Sequence, residues 1–370
     1  MRETMSTKTT NKTPEIRFAA SADGTRIAYA CAGTGPPMVR AGRWIGHLEQ
    51  DWNSAVRRPF LDEMCRSYTY CMHDSRGTGL SDRDVTDVSL DAQVKDLEAV
   101  ADAAGLDQFP LLGISAGTFI AIAFAARHPQ RVTRLVLQGA TSRGVMKRNP
   151  TPQQIEEANL LVKLIEVSWD RESPMYRQLH TAQFMPGATQ EQMQDWNELQ
   201  RLSVSSEIAA RHKLAIDEWD VSSLLPQIKC PALVVHCRDD VRVPYAEGRL
   251  LAAQIPNARL VTLEGKNHVL MKGDPAFDAF FAALREFVPA GNPSAKQQAD
   301  APFSGLSCRE REVLELVAQG LDNLQISAHL GVAEKTVRNV MTNIFDKIAV
   351  ENRPQAIVRA REAGFGATHH

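Results

Sequence analysis

One serine lies in the sequence context that most restricts how this chain can fold. Residues 113–117 read G-x-S-x-G, with Ser115 at the centre. A short apolar run, 109–114, precedes the motif, and an apolar segment of helical length, 118–126, follows it. A strand, a sharp turn and a helix in this order present a serine hydroxyl at the edge of a buried sheet. We therefore expect Ser115 to be a nucleophile; the alternative is an ordinary helix-capping serine.

The segments around this motif alternate between strand-like and helix-like patterns. Residues 16–20 and 26–30 flank an Asp-Gly turn and predict a β-hairpin. Further strands are predicted at 38–41, 68–73, 109–114, 133–138, 232–237 and 259–263, and helices at 90–104, 118–128, 245–255 and 277–287. Apolar strands that alternate with helices are typical of a doubly wound α/β domain with a largely parallel sheet.

Two later segments supply partners for a serine nucleophile, which needs a base and an acid that orients the base. Residues 233–244 resemble the acid loop of the α/β-hydrolase family and place the acid at Asp240, with Asp239 as the alternative. Residues 263–268 resemble the turn that carries the histidine of that family, here His268. Residues 74–81 are close to its architectural D-x-R-G-x-G-x-S turn. The resemblance implies an α/β-hydrolase sheet with a Ser115, Asp240 and His268 triad.

The resemblance also implies an oxyanion site and a cap. The expected oxyanion donors are the backbone amides of Ala116 and Arg43, with the Trp44 amide as the alternative to that of Arg43. Trp44 and His47 are expected to line the ligand pocket, although Trp44 packing under the cap is the alternative.

The segment 141–229 has almost no strand-like run and predicts a helical cap inserted between two core strands. Its large side chains line a ligand cavity or simply pack the cap helices together. They are Trp169, Met175, Tyr176, Phe184, Met185, Trp196 and Trp219.

A change of composition separates the last part of the chain. Residues 1–14 read as a polar tail, 15–288 as the hydrolase-like domain and 289–304 as a linker rich in Pro, Ala and Gln. Residues 305–366 are helical throughout, with Ser307 and Glu310 as a predicted capping box. A helix, a short helix, a tight turn at Gly331 and a long helix form a helix-turn-helix arrangement.

The sequence from 306 to 361 resembles the LuxR-type DNA-binding domain, through L-x-x-R-E-x-E-V-L, G-L-x-N, T-V-R-N, N-I-F-x-K and N-R-x-Q-A. In that family the third helix enters the major groove of double-stranded DNA as part of a dimer. The resemblance implies a homodimer whose DNA-facing residues are Lys335, Thr336, Arg338, Asn339, Thr342, Asn343 and Lys347. Val337, Val340, Ile344 and Ile348 are expected to face the core of the domain.

The formal charge of this domain bears on how it could bind DNA. Residues 305–366 contain eight Lys or Arg and eight Asp or Glu, so their formal charge is zero. Val340 and Leu324 stand where many relatives have His and Lys. Cations on one face of the third helix must therefore supply the attraction to phosphate. The alternative to a DNA-binding domain is a helical module that binds another protein.

The whole chain carries a formal charge of −2, which gives no overall attraction to nucleic acid or membrane. No apolar run is long enough to span a membrane, and the polar first twelve residues lack the apolar core of a signal peptide. We expect a cytoplasmic protein. Its six cysteines lack metal-ligand spacing and are expected to be small buried hydrophobes, with no metal or cofactor.

Together these patterns predict a DNA-binding transcriptional regulator. Its hydrolase-like domain would sense, and in one version hydrolyse, a small ester- or lactone-like ligand. The alternative is a serine esterase whose main output is turnover and whose DNA-binding domain is an accessory. Fold alone does not choose between them.

Overall fold

The computed structural model describes residues 14–173, 175–290, 306, 308–330, 332–348, 350, 352–362 and 365–366. The chain divides into two compact units, Met1–Ala290 and Gly291–His370. Ser307 and Gly331, to which the sequence assigned a cap and a turn, lie outside the described residues. So do all but two residues of the predicted linker.

The N-terminal unit is built on an eight-stranded sheet with the order β1-β2-β4-β3-β5-β6-β7-β8. Its strands are β1 (Arg17–Ala20), β2 (Arg26–Ala32), β3 (Pro37–Arg40), β4 (Thr69–His73), β5 (Phe109–Ile114), β6 (Val132–Gln138), β7 (Ala232–Cys237) and β8 (Ala258–Leu263). The β1–β2 and β2–β4 pairs are antiparallel, whereas β4-β3-β5-β6-β7-β8 is parallel. This confirms the predicted α/β class. The next two strands along the chain, β4 and β5, lie on opposite sides of β3, so a crevice opens at the carboxyl ends of these strands.

Ten helices of the described N-terminal unit surround this sheet. They are α1 (Leu48–Asn53), α2 (Arg58–Ser67), α3 (Leu90–Ala103), α4 (Gly117–Arg127), α5 (Pro152–Ser168), α6 (Met175–Phe184), α7 (Gln190–Ser203), α8 (Ser206–Glu218), α9 (Tyr245–Gln254) and α10 (Pro275–Phe287). Apolar clusters cover both faces of the sheet, which explains why most strands are continuous apolar runs. Sequence analysis did not predict α1 and α2. The signal for α2 was Pro59 at its start, followed by Phe60, Leu61 and Met64 on one buried face.

Helices α5 to α8 lie between β6 and β7. Thr151 and Thr189 begin α5 and α7 with complete capping boxes, because Gln154 and Gln192 reach back to the capping amides. Ser205 caps α8 in the same way from its side chain alone. These polar start signals explain why a segment without strand-like runs forms separate helices.

A disulfide joins Cys31 on β2 to Cys71 on β4. The two strands are antiparallel and place these residues directly opposite each other, with their Cα atoms 4.0 Å apart. The expectation that all six cysteines are unpaired small hydrophobes is therefore wrong for this pair. Forty residues separate the two cysteines in sequence, and only strand pairing reveals the contact.

The described part of the C-terminal unit consists of α11 (Cys308–Ala318), α12 (Asn323–Leu330), α13 (Glu334–Lys347) and α14 (Arg353–Glu362). Its core joins residues from all four helices, among them Val313, Ile326, Ile344 and Ala356. Within the residues that the structure describes, no helix is long and apolar enough to cross a membrane.

A buried ion pair fixes the turn at residues 74–81. The Arg76 guanidinium donates to Asp96 at 2.7 and 2.8 Å and to Asp23 at 2.8 Å. The Arg76 and Asp96 side chains are only 2% and 1% exposed. Removing one partner would leave the other as an uncompensated buried charge.

We predict that Arg76→Ala lowers the free energy of unfolding of the N-terminal unit by about 3–5 kcal/mol. Urea denaturation followed by tryptophan fluorescence measures this, because all five tryptophans lie between residues 44 and 219. The control is Arg127→Ala, which breaks the exposed pair with Asp91 and should change stability by at most about 1 kcal/mol. Equal effects of the two variants would contradict the prediction.

Candidate functional site

Ser115 occupies a strained turn between β5 and α4. Its φ is +53°, in the left-handed region that side chains other than glycine rarely adopt. A Cβ atom at Gly117 would lie 2.5 Å from the carbonyl oxygen of Gly42, and one at Gly113 would lie 2.9 Å from Ala121. The glycines of the motif therefore let the turn approach both the β3 loop and its own helix. The Ser115 amide donates to the carbonyl of Gln138 at 3.0 Å, which ties the turn to β6.

His268 and Asp240 are hydrogen-bonded at the carboxyl ends of β7 and β8. The distance from Nδ1 of His268 to Oδ2 of Asp240 is 2.8 Å, and both side chains are buried. The other Asp240 oxygen accepts from the amides of Arg242 and Val243 at 2.8 and 3.0 Å. Burial alone would raise the pKa of Asp240, but the His268 ring and the two amides hold it below its usual value. The carboxylate therefore stays ionised and fixes the ring.

The neighbouring aspartate lies in a different environment. Asp239 is exposed, and its amide donates to Gly265. Of the two carboxylates that the sequence left open, the structure places Asp240 against His268. Cys237, at the end of β7, is buried, and burial raises the pKa of its thiol to about 12.

His268 lines the cavity that also contains Ser115. Its amide donates to the carbonyl of Phe184, and its own carbonyl accepts from Gln138 Nε2 at 3.1 Å. Among the described residues, Nε2 of His268 has no hydrogen-bond partner. A base in this state can accept a proton from a serine hydroxyl.

We call the cavity beside Ser115 the main cavity; it contains about 680 Å³ of empty space, part of which is open to solvent. Ser115, Ala116, His268 and Arg43 all line it. The Arg43 side chain is paired with Asp51 and lies 4.0 Å from Asp74. The structure thus brings together the two residues whose amides are predicted to bind an oxyanion; that role stays a prediction.

The two predicted pocket residues have different places. Trp44 lines the main cavity, and its Nε1 also donates to the carbonyl of Ala209 in α8 at 3.2 Å. It thus packs against the cap and lines the pocket at once. His47 is the N-cap of α1, where Nδ1 accepts from Gln50, and it is not among the residues that line this cavity.

The large side chains of the 141–229 segment divide in the same way. Phe184 and Trp196 line the main cavity. Trp169 packs within the helical segment beside His180, and Trp219 packs on Phe119 in the sheet core. Met185 is buried in the helical cluster, and the side chains of Met175 and Tyr176 lie outside the description.

A second cavity, of about 520 Å³, meets Ser115 from another side. Lys213 and Asp217 form a buried ion pair in its wall. Arg148 and Arg242 also line it, and the Arg242 guanidinium lies 5.4 Å from the centre of the Phe184 ring.

The turn at 74–81 contacts the start of α1. Oδ2 of Asp74 accepts from the amides of Leu48 and Leu80 at 3.1 and 2.9 Å, so it holds the start of α1. Burial raises the pKa of Asp74 to about 6, against the opposing effect of the nearby Arg43. These contacts agree with an architectural role for this turn.

In the C-terminal unit, α13 has one polar and one apolar face. Val337, Met341 and Ile344 are buried, Ile348 follows them into the core, and Val340 is only partly buried. Met341 was missed because the polar residues beside it obscured the stripe. The seven residues predicted to face DNA are all exposed on this helix: Lys335, Thr336, Arg338, Asn339, Thr342, Asn343 and Lys347.

The cations on this face are held to different degrees. Lys347 donates to both oxygens of Glu310 at 2.7 and 2.9 Å, so its ammonium forms an ion pair with α11. Glu310 was also predicted to close a capping box with Ser307; because Ser307 lies outside the described residues, that role stays a prediction. Arg338 pairs with Glu334 at 2.9 Å on the exposed surface, a weak contact that phosphate can displace. For Lys335 the structure gives only its exposure.

Two family models match the chain in separate parts. Residues 44–275 match the alpha/beta hydrolase fold, and residues 304–360 match bacterial regulatory proteins of the luxR family. The chain belongs to the α/β-hydrolase family and ends in a luxR-family domain. The α/β-hydrolase fold and the helix-turn-helix resemblance are thereby confirmed. The luxR-family domain supports a DNA-binding regulator.

Individual relatives cover the hydrolase domain. A 2-hydroxy-6-oxo-6-phenylhexa-2,4-dienoate hydrolase of Burkholderia cepacia is 31% identical over 56% of this chain and 73% of its own length. A non-heme haloperoxidase of Rhodococcus erythropolis is 29% identical over 68% of this chain and 92% of its own. The esterase EaEST from Exiguobacterium antarcticum superposes with a TM-score of 0.62 at 24% identity, over 73% of this chain and 98% of that one. This last similarity speaks for the fold alone.

The contacts of the two aspartates generate a matched test in the α/β-hydrolase domain. We predict that Asp240→Asn lowers kcat on any ester that the protein cleaves by about 10⁴-fold, because His268 loses the carboxylate that fixes its tautomer. Asp239→Asn, one residue away and exposed, should leave kcat within about twofold, as expected for a surface change. Steady-state kinetics of both variants decides the acid, and a larger loss in Asp239→Asn would reverse the assignment.

The luxR-family domain gives a second test. For binding to duplex DNA, the logarithm of the association constant falls as the logarithm of the salt concentration rises. We predict that Lys335→Ala makes this slope less steep by about 1, as expected for the loss of one phosphate contact. Fluorescence anisotropy of the full chain over a salt series measures this slope. Lys347→Ala should change it less, because the ammonium is bound to Glu310. Equal slopes for wild type and Lys335→Ala would contradict the assignment.

Proposed function

We propose that this protein is a homodimeric transcriptional regulator whose α/β-hydrolase domain binds, and slowly hydrolyses, a small ester- or lactone-like ligand. The observation that carries the proposal is His268, which is hydrogen-bonded to Asp240 and lines the same cavity as a strained Ser115, in a chain that also contains a luxR-family domain. The N-terminal unit thus supplies a candidate nucleophile, base and orienting acid, and the luxR-family domain supplies the helix that we propose reads DNA.

The chemistry follows from the groups around the main cavity. Oγ of Ser115 attacks the acyl carbon while Nε2 of His268 takes the hydroxyl proton, and Asp240 stabilises the imidazolium. The amides of Ala116 and Arg43 bind the developing oxyanion. His268 then returns its proton to the leaving alcohol, and water releases the acyl group as an acid by the same steps in reverse. In a lactone the alcohol and acid remain one molecule.

The regulatory step needs a ligand that favours one arrangement of the protein over another. A ligand in the main cavity contacts Phe184 and Trp196 of the helical segment as well as Ser115 of the sheet domain. It therefore favours one position of that segment. In the proposed dimer, a change in the position of that segment changes the spacing of the two α13 helices. This spacing must match the spacing of the two DNA half-sites, so it determines which DNA is bound.

A second candidate is a serine hydrolase whose main output is turnover. The strain at Ser115 favours it, because backbone strain of about 1–3 kcal/mol is usually retained where a mechanism uses it. The two candidates differ in what the ligand does to DNA affinity.

The test combines hydrolysis with DNA binding. We predict that wild-type protein cleaves at least one member of a panel of p-nitrophenyl esters and lactones, and that Ser115→Ala lowers kcat about 10³-fold or more. The same compounds are then added to the full chain on duplex DNA, with Ser115→Ala as the variant that binds without turnover.

A shift of DNA affinity in both proteins supports the regulator. Fast turnover with unchanged DNA affinity supports the hydrolase. A panel without turnover and without effect on DNA overturns both proposals.

A further inference from the structure

Three arginines line the main cavity beside Ser115: Arg40, Arg43 and Arg57. Of these three, Arg43 alone has carboxylate partners among the described residues: it pairs with Asp51 and lies 4.0 Å from Asp74. The hydrolytic steps proposed above use the backbone of Arg43 and neither of the other two arginines. The cavity therefore carries positive charge that the triad chemistry does not require.

Arg40 is the last residue of β3 and is 3% exposed. Its Nε has no hydrogen-bond partner among the described residues, and no carboxylate of that part of the chain lies within 4.0 Å of it. The hydroxyl of the nearby Tyr70 is also without a hydrogen-bond partner there, and burial raises the pKa of Tyr70, so a neutral phenol does not balance the charge of Arg40. A buried guanidinium without a partner is costly, and an anion in the cavity would relieve that cost.

Arg57 precedes α2, and its guanidinium lies 4.4 Å from the centre of the Trp196 ring. Its Nε is likewise without a hydrogen-bond partner in the described residues. Burial, with Arg43 and Arg40 nearby, lowers the pKa of Arg57 to about 9, so the side chain still carries its charge at neutral pH. A planar guanidinium on an aromatic face presents its outer edge for a bidentate contact with a planar anion.

The second cavity lacks this combination. Its buried cation, Lys213, is neutralised by Asp217. Arg242 and Arg148 are only half-buried, and Arg148 donates to the carbonyl of Arg143 at 2.7 Å. The buried unpaired cation at the serine is therefore in the main cavity.

Apolar side chains complete the wall next to the two arginines. Phe60, Phe184 and Trp196 line the same cavity. An occupant that matches this surface has an apolar body and a single anionic end.

We propose that the ligand of this site is a carboxylic acid, whose carboxylate binds Arg40 and Arg57 while its ester carbonyl lies at Ser115. The ester carbonyl rests on the function proposed above, whereas the carboxylate contact does not. Among esters and lactones, the site selects those with a free carboxylate on an apolar chain or ring.

The first experiment measures binding without turnover. A series of phenylalkanoates, from phenylacetate to 6-phenylhexanoate, and the matching primary amides are titrated into the full-length Ser115→Ala protein by calorimetry. Acid and amide have nearly the same shape and differ in charge. At least one acid is expected to bind ten times or more tightly than its amide.

Substitutions then assign the effect. Arg40→Met and Arg57→Gln should each weaken the acid at least tenfold and leave amide binding within about twofold. Arg58→Gln is the matched control, because Arg58 pairs with Asp62, is absent from the cavity wall and should change neither affinity. Arg40→Met should also unfold at the same or a higher temperature than its parent, since it removes a buried charge without a partner. If Arg40→Met fails to fold, Arg57→Gln alone decides.

A last comparison separates this inference from the proposed function. The wild-type protein is given mono-p-nitrophenyl glutarate and p-nitrophenyl pentanoate, which differ in a terminal carboxylate. A kcat/KM ratio of ten or more in favour of the glutarate supports both proposals. Turnover of the two esters at equal rates, with equal binding of acids and amides, overturns the carboxylate site and leaves the hydrolase intact. Arg40-dependent acid binding without turnover of either ester supports the carboxylate site and removes hydrolysis.

Discussion

The left-handed backbone at Ser115 is the constraint on which the N-terminal unit depends. A serine in this region costs about 1–3 kcal/mol and persists only where its surroundings fix it. Here β5, α4 and β6 hold the turn, and Gly113 and Gly117 allow the helix and the β3 loop to come close. The same packing brings Ala116 and Arg43 to one cavity. The site is thus a consequence of how tightly the sheet and α4 pack.

The arginines inside the N-terminal unit have two kinds of surroundings. Arg76 is fully paired with Asp96 and Asp23, and it holds a loop in place. Arg40 and Arg57 face the cavity without a carboxylate partner among the described residues. Since burial makes an unpaired cation expensive, the first arrangement stabilises the fold and the second is suited to bind an anion. The two kinds of arginine look the same in the sequence.

Local patterns were enough to predict much of the architecture. The runs around residues 109–114 and 232–237 became β5 and β7 at the same bounds, because both faces of these strands are covered and their residues are apolar apart from His236. Helix α2 was missed because its signal is a short amphipathic stretch after Pro59. The Cys31–Cys71 disulfide was missed because it depends on pairing between strands far apart in sequence.

The α/β class, the position of the serine turn, the triad candidates and the luxR-family helices could all be predicted from local sequence patterns, because each pattern consists of residues close together in the chain. Three contacts emerged only from the folded chain: His268 contacts Asp240 and not Asp239, Lys347 is bound to Glu310, and Arg40 and Arg57 line the cavity of Ser115. These outcomes depend on the direction of side chains from separate elements. That direction is set by packing across the whole domain and not by local pattern.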